Sequence, residues 1–102
     1  MKMLFPDRYS DNPRNLMLRC GYAERLDPNT AKVSYVRRLG EGFYPRFHAY
    51  LEDHKDGFVV ALHLDQKKTS LAGNQHGGEY GGEAVKNEIM RIASIIVPLR
   101  VG

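Results

Sequence analysis

Two runs of alternating side chains constrain this chain more than any other feature. Phe43 to Glu52 sets Phe43, Phe47, Ala49 and Leu51 against Tyr44, Arg46, His48, Tyr50 and Glu52. Phe58 to Asp65 sets Phe58, Val60, Leu62 and Leu64 against Val59, Ala61, His63 and Asp65. A period of two is the mark of a strand with one buried face. Only His54-Lys55-Asp56-Gly57 separates the runs, so they read as a hairpin. Gly57 would supply a positive φ at the end of a four-residue loop. That loop pairs Asp53 with Phe58, so Leu51 faces Val60, Phe47 faces Leu64 and His48 faces His63. A slip of one residue would mix the two faces, and burial of either face opposes it.

The flanking segments complete the pattern. Val33 to Leu39 reads as a third strand, with Gly40-Glu41-Gly42 as its turn. Pro45 has no N–H to give a ladder, so the strand after it starts late or bulges. Leu26 to Ala31, with Pro28 and Asn29, reads as a turn or loop. A short helix is expected over Asn12 to Cys20. Asn12 suits the N-cap, Pro13 the first helical position, and Gly21 the left-handed residue past the end. Glu83 to Ile96 reads as a second helix, because Val85, Ile89, Ile92 and Ile96 form one apolar stripe and Pro98 ends it. The expected fold is α+β: an α-β-β-β-α order, with a three-stranded antiparallel meander and both helices packed on one face. Residues 1–102 read as a single domain, with 1–11 as an N-terminal extension and 66–82 as a long, polar, glycine-rich loop.

Composition removes several classes. The single cysteine, Cys20, cannot close an internal disulfide and allows no Cys–Cys metal spacing. Its place on the apolar side of the first helix suggests core. The apolar run Met3 to Phe5 is cut by Pro6 and Asp7, and Ile92 to Leu99 is interrupted by Ser94 and Pro98, so neither reads as a signal or a membrane span. A soluble, cytoplasmic protein is the expectation. The net charge of +3 permits an acidic partner without requiring one.

Three readings of function follow from the polar side of the hairpin. Aromatic rings interleaved with cations are what single-stranded nucleic-acid platforms use. On that reading Arg46 and the loop lysines Lys67 and Lys68 meet phosphate, while Tyr44 and Tyr50 stack on bases of RNA or a single strand. The alternative is a divalent-metal site, zinc or another ion. Its ligands would be His48 and His63, which face each other, Asp65 two residues along, and His76 and Glu79 from the glycine-rich loop. A histidine held by Asp65 could equally act as a general base in a small hydrolase-like enzyme. The third reading is a protein–protein module that pairs its sheet face or edge, as in a homodimer.

The order α-β-β-β-α, with Pro45-Arg46-Phe47 opening an alternating strand, resembles that of the double-stranded-RNA-binding domain. That family grips phosphate with lysines at the start of its second helix, where this chain has Gly82-Glu83-Ala84-Val85-Lys86. A second resemblance rests on Tyr44-Pro-Arg-Phe-His48, His63-Leu-Asp-Gln-Lys-Lys68 and His76-Gly-Gly-Glu-Tyr80. These runs are similar to a pattern in a family of small candidate-phylum bacterial proteins with no assigned activity. The resemblance implies no site residue, yet it falls on the same histidines.

Overall fold

The computed structural model describes residues 1–66 and 77–102, with the backbone alone at 77–81. Strand β1 (Lys2–Pro6) is followed by helix α1 (Pro13–Arg19) and strands β2 (Ala23–Leu26), β3 (Val33–Arg38), β4 (Arg46–His54) and β5 (Gly57–Asp65). Helix α2 (Gly77–Ile96) and a 3-10 turn at Val97–Leu99 close the chain. The strands form one five-stranded sheet in the order β1-β5-β4-β3-β2, with every neighbouring pair antiparallel.

This corrects the expected three-stranded meander. The overall α+β class holds, but the sheet has five strands, because an edge strand was added on each side. Lys2–Pro6, expected as an extension, pairs with β5 from Lys2↔Ala61 to Pro6↔Gly57. Its proline sits at the end of an edge strand, where a missing N–H costs no ladder bond. The Met1 ammonium donates to the Leu62 carbonyl at 2.9 Å and extends the pairing. Ala23–Leu26 pairs with β3 although all four of its residues are exposed. Such strands are held by backbone hydrogen bonds, which leave no alternation in the side chains to read.

The central hairpin has the expected register, with Leu51↔Val60, Phe47↔Leu64 and His48↔His63. Pairing runs one step further than expected, to His54↔Gly57, so the connection is the two residues Lys55 and Asp56. Gly57 is not in the left-handed region. It is required because a Cβ there would collide with the Phe5 carbonyl of β1.

Both helices contribute to one core on one side of the sheet. In α1 the Asn12 side chain accepts from the Asn15 N–H at 2.8 Å, Pro13 follows it, and Gly21 takes φ +91° just past the end. Leu16, Met17 and Cys20 are buried. In α2 the stripe Val85, Ile89, Ile92 and Ile96 is buried against Phe47, Ala49, Phe58, Val60 and Leu62. The helix begins at Gly77, six residues before the apolar stripe suggests. Glycines 77, 78, 81 and 82 weaken helix propensity, which is why that stretch reads as loop. No helix among the described residues is long and apolar enough to cross a membrane.

Candidate metal centre

The sheet face away from the helices carries the polar set of the hairpin. Directly opposed residues share a face, so Val36, His48 and His63 form one row across β3, β4 and β5. Arg38, Arg46 and Asp65 form the next. Asp65 joins the two rows. Its Oδ2 lies 2.9 Å from His48 Nδ1 and 3.4 Å from Arg46 Nε, and its Oδ1 lies 3.5 Å from His63 Nε2. The His48 ring is flanked by Tyr50 at 4.8 Å and His63 at 5.0 Å between centroids.

The His48 side chain is only 14% exposed, whereas that of His63 is 49% exposed. Burial lowers the His48 pKa below its ordinary value, and the nearby His63 and Arg46 charges act the same way against the pull of Asp65. His48 is therefore neutral at pH 7. A carboxylate can only accept, so the single ring proton sits on Nδ1 and is donated to Asp65. The lone pair is then on Nε2. That atom is buried and has no hydrogen-bond partner among the described residues.

Three of the five residues expected to bind metal thus converge. His48, His63 and Asp65 each offer a ligand atom, all within 4.8 Å of one another. His76, and the side chain of Glu79, lie outside the described residues, as do Lys67 and Lys68 from the nucleic-acid set. Of the rest of that set, Tyr44 is exposed and Tyr50 half-buried against His48. Arg46 is 8% exposed, with its guanidinium 4.7 Å from the Tyr44 ring centre. Its charge is engaged by Asp65 rather than presented to solvent. Cys20 is a core residue whose thiol pKa is pushed up by burial, and it lies apart from this cluster, on the helix side of the sheet.

Sequence reasoning passed over Arg25 and Arg38, and it set Phe43 on the apolar face with Phe47; Phe43 precedes β4, is 70% exposed and lies with these arginines on the polar side. Sequence reasoning also passed over Glu88, a buried carboxylate on the core side. The Glu88–Arg91 spacing of three on a helix was a usable signal for the latter. No family model, curated protein or solved structure matches this chain.

Proposed function

We propose that this protein binds a divalent transition-metal ion of the zinc class through His48 and His63, with Asp65 as their carboxylate partner. One observation carries the reading: the buried His48 Nε2 has a lone pair and no hydrogen-bond partner among the described residues. Leaving such an atom bare costs about 1–3 kcal/mol, and a bound ion removes that cost. A carboxylate on the far nitrogen of an imidazole is the arrangement that fixes the tautomer and raises the basicity of metal-binding histidines. His63 supplies a second imidazole alongside, half exposed and with its ring centre 5.0 Å from that of His48.

The donor types favour zinc over hard cations. Magnesium and calcium require several oxygen ligands. This cluster has one carboxylate, and its Oδ2 already accepts from His48 and Arg46. Imidazole suits zinc, copper and nickel.

The test is calorimetric titration of chelator-treated protein with zinc and with magnesium, backed by the visible spectrum of the cobalt-loaded form. One zinc per chain is expected, and no magnesium. Asp65→Asn should weaken zinc binding about 10–100-fold, as loss of an orienting partner does elsewhere. His48→Ala and His63→Ala should abolish it while circular dichroism stays native. Zinc binding that survives both histidine variants, or no binding at all, overturns the reading.

A further inference from the structure

The same sheet face carries a second feature, between the histidine cluster and the β2 edge. It is a groove of about 820 Å³. Ala23 and Val36 form a shallow floor, while Arg25, Arg38 and Arg46 bring three guanidinium groups around it. The register explains the gathering. Ala23 pairs with Val36 and Arg38 with Arg46, and Arg25 follows Ala23 by two residues along β2, so all five point to one side.

Directly opposed like charges repel across a ladder. Asp65 relieves this on one side only, by holding Arg46. Arg25 and Arg38 are exposed and, among the described residues, neither has a carboxylate partner and no acidic side chain lines the groove. Arg37 also borders it, but its guanidinium is 3.5 Å from Glu88 on the core side and is neutralised there.

Two aromatic rings lie against the arginines of the groove. Phe43 is 70% exposed, with the Arg38 guanidinium 5.6 Å from its centre. Tyr44 is 42% exposed and carries Arg46 in the same way. The groove therefore combines uncompensated positive charge with exposed aromatic rings.

We infer that this groove binds single-stranded nucleic acid, with Arg25 and Arg38 on phosphates and Phe43 and Tyr44 stacking on bases. Stacking on exposed rings is sequence-tolerant and needs unpaired bases, whose faces a duplex hides. A peptide of acidic residues alone would satisfy the arginines but would offer nothing to stack on Phe43. The inference is independent of the metal reading, since neither Arg25, Arg38 nor Phe43 belongs to the histidine cluster.

The test is fluorescence anisotropy of a fluorescein-labelled twelve-residue thymidine strand, with EDTA present so that metal plays no part. Two or three phosphate contacts predict a loss of about 20–80-fold in affinity between 25 and 200 mM salt. The double variant Arg25→Glu/Arg38→Glu should weaken binding at least tenfold and flatten that salt dependence. Phe43→Ala should weaken it at least fivefold with the salt dependence unchanged, as loss of one stacking platform does. All three side chains are exposed, so the variants should melt like the parent. Absence of binding at 25 mM salt overturns the inference, as does equal binding by the double variant. Binding of a glutamate-rich peptide as tight as that of the strand, unaffected by Phe43→Ala, overturns it in favour of an acidic partner.

Discussion

Glu88 and Asp65 each gather polar partners, one on each face of the sheet, and the two clusters are finished differently. On the core side Glu88 is 4% exposed and fully engaged. The Tyr22 hydroxyl donates to its Oε2 at 2.6 Å, while Arg91 donates from Nε to Oε1 at 2.8 Å and from its terminal nitrogen to Oε2 at 2.9 Å. Arg37 stands 3.5 Å away, and Arg91 also donates to the Cys20 carbonyl at 2.6 Å. The network ties α2 to β3 and to the end of α1. On the far side Asp65 gathers His48, His63 and Arg46 but leaves His48 Nε2 without a partner among the described residues. A polar cluster closed on itself is architecture. One that leaves a buried lone pair bare among the described residues keeps an atom for a ligand, which is what the metal reading uses.

The largest test of that contrast breaks the closed cluster. Removing one member of a buried charged network strands the others, at a cost of about 3–5 kcal/mol. Glu88→Ala should fall at or below the lower end of that range in urea unfolding, because the buried Tyr22 hydroxyl loses its acceptor while Arg91 and Arg37, each about a third exposed, are partly rehydrated. A loss below 1 kcal/mol would mean that the network adds nothing to the fold.

A smaller effect comes from protonating Glu88 rather than deleting it. Burial raises its pKa, but the hydrogen bonds from Arg91 and Tyr22 and the charges of Arg91 and Arg37 outweigh burial and hold the carboxyl below its ordinary value. The unfolded chain therefore binds the proton first. The contribution of Glu88 is fully present above the unfolded carboxylate range, near pH 4.3, and is lost as pH falls through the lower folded value. The stability gap between the parent and Glu88→Ala should be constant from pH 6 to 7 and narrow below about pH 4. A gap that widens in acid would refute the sign.

The two clusters also differ in how far the sequence reveals them. His48, His63 and Asp65 can be brought together on paper, because β4 and β5 alternate large apolar residues and are joined so closely that a four-residue loop and the observed two-residue turn give the same register. The stripe of α2 is legible for the same reason, since burial on one side writes a period into the chain. Glu88 is not, because its partners Tyr22, between α1 and β2, and Arg37, on β3, are far from it in sequence and reach it only through the placement of the whole sheet. The opposition of Arg38 and Arg46 is hidden too: residues 39–45 connect β3 to β4, and a connection of that length does not set a register. The edge strands β1 and β2 escape because one ends in Pro6 and the other exposes every side chain.

The smallest effect is the most discriminating, because it asks whether His48 belongs to the architecture. His48→Phe removes the bare Nε2 together with the Nδ1–H donated to Asp65, and keeps a ring between Tyr50 and His63. Asp65 retains Arg46 and is 24% exposed, so water can replace the lost donor. The desolvation cost relieved and the hydrogen bond lost are each about 1 kcal/mol, so they should nearly cancel. Chelator-treated His48→Phe should therefore unfold within about 1 kcal/mol of the parent. Saturating zinc should then stabilise the parent alone, by about 2.7 kcal/mol at a hundred times its dissociation constant. A metal-free loss approaching that of Glu88→Ala would make His48 a structural residue like Glu88 and erase the difference between the two faces. Near-neutrality without metal, joined to a zinc effect confined to the parent, is what a cluster kept for its ligand must show.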